Sequence, residues 1–212
     1  MTASQTQDSG GSIEFLIAEY NQISEETRRL RNEGLSRLNF FITITSSILA
    51  GLVVLSQSNT ATDTTVQWVS LGALFFLILV GWNAFKFTIS RDISTDFNVR
   101  ATGRIHRFFM ERDPSLRQYL TWQDHDEPTA WIVGNTSNLR STAQWLLSSL
   151  VALALGLTIH LLSGDLRWSV ASGGLGFGLS VLGLQRYAGY RFGQARKKAE
   201  ASVRFRKTPS RG

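Results

Sequence analysis

The chain is 212 residues long, 43% hydrophobic and 18% charged, with a formal net charge of +6 and no cysteine. Its mean hydropathy of -0.03 is that of a soluble protein, yet the apolar residues are gathered into four blocks with the charges between them. This excludes a disulfide scaffold, a thiolate metal site and a cysteine nucleophile, and it argues against a water-soluble globule with a single core.

Residues 1–11 are rich in Ser, Thr, Gln and Gly and are expected to be disordered. Residues 12–37 predict an amphipathic cytoplasmic helix. Leu16, Tyr20, Ile23, Thr27, Leu30 and Gly34 repeat at alternating spacings of four and three, a coiled-coil-like seam for lengthwise packing. Glu19, Glu25, Glu26, Arg28, Arg29 and Glu33 fill the opposite face. No proline separates this helix from the first apolar block, and Gly34 is the natural place for a break.

Spanning a bilayer takes about 20 mostly apolar residues, because the hydrocarbon layer is roughly 30 Å thick. Residues 38–62, 64–85, 141–164 and 168–185 carry no charge. A charge at a helix centre costs about 2.5–3.5 kcal/mol on insertion, so these windows predict spans over 38–57, 66–85, 141–162 and 168–185. The alternative, four core helices of a soluble protein, lacks enough polar residues to wrap them. The fourth block is the shortest and holds Gly173, Gly174, Gly176, Gly178 and Gly183. Only residues 163–167 separate the third and fourth blocks, so these form an antiparallel hairpin, as do the first two. The expected fold is therefore all-α: a polytopic membrane protein with four transmembrane helices in two hairpins and a cytoplasmic helical stalk.

Basic residues set the orientation. Of the 22 Lys and Arg residues, 21 fall on one face if both termini share it; Arg167 is the exception. This predicts cytoplasmic N- and C-termini. The first 12 residues are polar, so the first span is expected to act as its own insertion signal.

Residues 86–140 are expected to extend the second helix into the cytoplasm. Ile89, Ile93, Phe97, Ala101, Ile105 and Phe109 recur every four residues, with charges on the other face. Pro114 ends the run by disfavouring helical geometry at Asp113. Paired with the first helix, this extension gives the stalk; the alternative is two separate helices lying on the lipid. PSLRQYLTW reads as a short helix and the following QDHDEPTAWIVGNTSN as a solvated loop. Its one His and neighbouring acids do not converge as metal ligands must.

Residues 186–212 form a basic tail with nine Lys and Arg against Glu200 alone. Arg186, Arg191, Arg196, Lys197 and Lys198 are candidate contacts for anionic lipid headgroups, with Tyr187, Tyr190 and Phe192 expected at headgroup level. A role confined to anchoring the topology is the plainer alternative. Nucleic-acid binding is disfavoured because no reading motif accompanies the charge.

Few residues offer chemistry. Thr43 and Ser47 share one face of the first span and are candidates to line a pore or to pack against another helix. Gly174 and Gly178 lack the strand and Lys of a phosphate loop and read as a close-packing face, within the chain or between copies. No span has an ionisable residue at its centre, which weighs against a pump. No catalytic, metal or cofactor-binding residues are identified.

The stretches EYNQISEETRRLRNEGLSRLNFFITITSSILAGL and RATGRIHRFFMERDPSLRQYL resemble uncharacterised bacterial small integral membrane proteins. That resemblance implies a bacterial inner-membrane setting and no assigned activity. A looser similarity, to the two-span SLATT-type membrane effectors, rests on a helix before a membrane hairpin; that group is proposed to form pores, and the second hairpin here departs from its plan. The expected function is a non-enzymatic scaffold or signalling component that self-associates and presents cytoplasmic helices to a protein partner. The alternative is an oligomeric pore lined by the Thr43–Ser47 face.

Overall fold

A computed structural model describes residues 3–57, 63–119, 123–129, 132–133 and 137–206. Among the described residues there are four long α-helices: α1 (Ala3–Gln57), α2 (Asp63–Arg112), α3 (Asn138–Ser163) and α4 (Leu166–Ala201). A short 3-10 helix, Pro114–Gln118, follows α2. Asp113 caps it: its carboxylate accepts the Ser115 N–H at 3.0 Å and the Ser115 hydroxyl at 2.6 Å. Of the expected PSLRQYLTW helix, residues 120–122 lie outside the described residues.

α1 begins at Ala3, not near Ser12, and runs unbroken past Gly34. Residues 3–11, expected as a disordered lead-in, are thus helical; residues 1–2 lie outside the described residues. The first proline of the chain is Pro114, so nothing in α1 removes a backbone donor. Adding a residue to an existing helix is far easier than starting one.

Three of the helices are long and apolar enough to cross a membrane: α1 from Ile13, α2 and α3. Their apolar side chains point outward to an extent that water would penalise. Val54 is 69% exposed and Phe75 63%, with Phe76, Leu79, Leu153 and Leu155 also exposed. A soluble protein buries such residues or keeps exposed apolar patches small; here they suit lipid. α4 is less apolar because Gly and Ser occupy much of its first half.

The chain divides into two compact units. The apolar unit comprises residues 33–90 and 136–191. Within it α1 and α2 run antiparallel. Phe41 is fully buried against Gly81, where an added Cβ would lie 2.7 Å from the Phe41 ring and 3.1 Å from Leu147. Glycine there lets α1 and α3 approach α2 closely. α3 and α4 form the expected tight hairpin. Gly164 adopts a left-handed φ of 67° and donates its N–H to His160 O at 2.9 Å, ending α3 as glycine does at this position. Down the hairpin, Gln144 Nε2 donates to Val181 O at 3.2 Å, and Trp145 packs on Phe177 with ring centroids 5.4 Å apart.

The polar unit comprises the chain up to residue 32, residues 91–135 and the chain from residue 192. In it α1 and α2 again lie antiparallel: Asn98 Nδ2 donates to Thr27 Oγ1 at 3.3 Å, and the Tyr20 and His106 rings are 5.8 Å apart. Ile23 on the α1 seam is buried and Leu16, Thr27 and Leu30 are half-buried. The expected α2 seam is only partly used. Ile105 is buried, but Phe97 is 66% exposed, and Asp96, Arg100 and His106 are buried instead. The reason is a third layer: the loop after the 3-10 helix and the end of α4 pack onto the charged face of α2.

Candidate functional site

That charged face carries a buried ionic clasp. Asp96, Arg100 and Arg104 recur every four residues on α2 and so share one side of the helix. Asp96 Oδ1 accepts the Thr129 N–H at 2.8 Å and the Thr129 hydroxyl at 2.6 Å, pinning the loop. Arg100 Nε donates to Asp126 O at 2.7 Å, while its Nη2 donates to Ala199 O and Ser202 Oγ, both at 2.8 Å. A cation on the last-turn carbonyls satisfies acceptors that the helix itself leaves unpaired. Arg104 Nε donates to Asp126 Oδ2 at 2.7 Å and Nη2 to Ser202 O at 2.8 Å.

Asp126 is the hub. It has no exposed surface, and its carboxylate accepts the N–H groups of Phe205 at 2.8 Å and Arg204 at 3.1 Å besides the Arg104 guanidinium. Burial pushes its pKa up, but the Phe205 and Arg204 amides and Arg104 together outweigh that and hold the carboxyl below its usual value. Asp124 turns toward Arg107 at 3.7 Å. The QDHDE stretch is therefore not a solvated loop: acids that look water-facing in sequence are drawn inward by two arginines and two amides. Among the described residues, no group of three His, Asp or Glu side chains is placed to hold a metal ion.

Close to this network, Gly103 packs against the carbonyl oxygen of His125, where any Cβ would collide. A cavity of about 210 Å³ is lined by Tyr20, Ser24, Thr27, Thr102, His106 and Gln123, with no Lys, Arg, Asp or Glu among the described lining residues. The Thr27 and Thr102 hydroxyls donate to backbone carbonyls at 2.8 and 3.0 Å, and Thr27 also accepts from Asn98 Nδ2. The His106 Nδ1 lies 3.3 Å from Gln123 O. The lining suits small uncharged polar groups. Among its described lining residues there is no acid to orient His106.

The residues singled out from the sequence lie elsewhere. Thr43 and Ser47 are exposed on α1 in the apolar unit. Gly174 and Gly178 are exposed, with nothing within 4 Å of an added Cβ. The face that packs within the hairpin is instead Gly156, Gly173 and Gly176: a Cβ at Gly173 would lie 3.0 Å from Ala152 O, and one at Gly156 3.2 Å from Ser169 O. Their positions mirror each other across the Gly164 turn, a register that the short connection would have revealed. Arg186, Arg196, Lys197 and Lys198 are exposed and Arg191 half-buried; Arg196 pairs with Glu200 at 2.6 Å. Phe192 is buried, not at a headgroup surface, because it lies on the same side of α4 as buried Ala188 and Ala199.

Sequence reasoning missed Asp96, Arg100, Arg104 and Asp126. Compared with known protein families, curated proteins and solved structures, the chain matches none.

Proposed function

We propose that this chain is a four-span protein of a bacterial plasma membrane, with both termini cytoplasmic, that acts as a non-enzymatic scaffold or signalling component. It self-associates in the bilayer and offers its polar unit to a cytoplasmic protein. The observation that carries the reading is the joint folding of three separated segments. Residues 91–135 and 192–206 are bound together by Arg100 and Arg104, so a bilayer leaves them on the same side. Only α3 and α4 lie between them. If α3 crosses, α4 crosses back, which supports a fourth span although glycine makes that helix less apolar; glycine is common in membrane helices. The Thr27–Asn98 bond supports the same side for the start of α1. The skew of 21 of 22 basic residues supports the cytoplasm as that side.

The exposed Gly174–Gly178 face supports self-association, since small residues let membrane helices approach closely. A second reading, an oligomeric pore, is favoured by the exposed Thr43 and Ser47, which the chain leaves unburied and which several copies would bring around an axis. Purified protein reconstituted in liposomes separates the two. A defined oligomer with tight vesicles, broken to monomer by Gly178→Leu, supports the scaffold. Ion flux abolished by Ser47→Leu supports the pore. A protein that stays monodisperse in buffer without detergent refutes both.

A further inference from the structure

Several cations of the polar unit sit on acids. Arg28, Arg29, Arg104, Arg107 and Arg196 each have a carboxylate within 3.2 Å. At the end of the apolar unit the pattern changes. Lys86 is the first charge after the uncharged stretch of α2, and Arg191 is the second charge after that of α4, which ends at Gln185. Among the described residues neither has a carboxylate partner. Each sits instead against an aromatic ring. Lys86 Nζ is 5.8 Å from the Trp82 ring centroid, and Arg191 Nη1 is 3.4 Å from the Tyr187 hydroxyl. The two rings pack on each other with centroids 5.1 Å apart.

We infer that Lys86 and Arg191, flanking the Trp82–Tyr187 pair, form a defined binding site for the phosphate of an anionic membrane lipid. The inference rests on the membrane reading above and goes further in naming the site and its occupant. Trp and Tyr prefer the depth where hydrocarbon gives way to headgroups. All four side chains are half-buried, so the cations remain reachable while their stems and the rings meet the upper acyl chain. A guanidinium and an ammonium without acid partners supply the donors a phosphodiester needs. Basic pockets between membrane helices on the cytoplasmic side bind headgroups in this way. A soluble anion would leave the Trp82–Tyr187 surface uncovered; a lipid covers both parts.

The test uses the full chain in nanodiscs of phosphatidylcholine with a minority of phosphatidylglycerol, the retained lipids being counted by native mass spectrometry. Wild type should retain phosphatidylglycerol selectively. The double variant Lys86→Gln, Arg191→Gln should lose that preference by roughly tenfold to thirtyfold. Arg28→Gln, Arg29→Gln should keep it, as should the charge-preserving Lys86→Arg, Arg191→Lys. The inference is overturned if wild type shows no preference, if the glutamine double variant matches wild type, or if inorganic phosphate displaces the lipid. Failure of the protein to enter nanodiscs at all would instead overturn the membrane reading beneath it.

Discussion

The Arg104 guanidinium lies 2.7 Å from the Asp126 carboxylate, which is fully enclosed, and spans the gap between the C-terminal part of α2 and the chain beyond α4. Asp126 reaches across 78 and 79 residues of sequence to the Arg204 and Phe205 amides. One carboxylate thus closes the polar unit by joining α2, the loop and the C-terminal segment. In the proposed membrane setting, the same closure supports a return of the chain to one side of the bilayer after α3.

Asp126→Ala removes a buried acceptor from Arg104 and from two amides. Breaking a buried pair costs about 3–5 kcal/mol, and the partial exposure of Arg104 lowers the expected loss to about 2–4 kcal/mol. Arg196→Ala, which breaks a pair with both partners half exposed, should cost under about 1 kcal/mol. Thermal unfolding in detergent and proteolysis of the segment after Ala201 measure both. Equal effects would deny Asp126 its role.

The folded-state pKa of Asp126 is lowered, so its contribution to stability is present above the unfolded value of about 3.9 and is lost as pH falls through the folded value. The stability gap between wild type and Asp126→Ala should therefore be flat from pH 8 to pH 5 and shrink only below about pH 4. Proteolysis rates across that range report it. A gap that already narrows at pH 6 would point to another titrating group.

Glycine substitutions should fall into an order set by what each Cβ meets. Gly103→Ala drives a methyl into the His125 carbonyl oxygen and should cost about 1–3 kcal/mol. Gly173→Ala, 3.0 Å from Ala152 O, should cost less, because the α3–α4 pair can part by tenths of an ångström. Gly176→Ala meets the tip of Leu155, an exposed side chain free to swing, and should be near neutral. Gly183→Ala has open space and should gain about 0.5–1 kcal/mol through helix propensity. Melting temperatures of the four variants check the order.

Much of this architecture could be read from the chain. Uncharged runs mark the apolar stretches of the helices, the gap between Ser163 and Leu166 forces an antiparallel hairpin, and Pro114 stops α2 at Arg112. The clasp could not. Asp96, Arg100 and Arg104 repeat every four residues, as the charges of a solvated helix face do, and their partners lie 22 to 102 residues away. A pattern read within one helix cannot reveal a second layer of chain that covers it. Phe97 failed as a core residue for the same reason: the layer chose the other face. Gly174 and Gly178 show a related limit, since spacing marks a small-residue face without saying whether the chain itself or another copy fills it.

The proposed return of α4 across the bilayer is tested most directly by thiol labelling, which the lack of cysteine makes clean. Ser163→Cys at the hairpin turn and Lys197→Cys on α4 both replace exposed residues. On intact cells, a membrane-impermeant reagent should label the first and reach the second only after permeabilisation. Labelling of both from the same side would contradict a four-span chain whose loop and C-terminal segment share the cytoplasm.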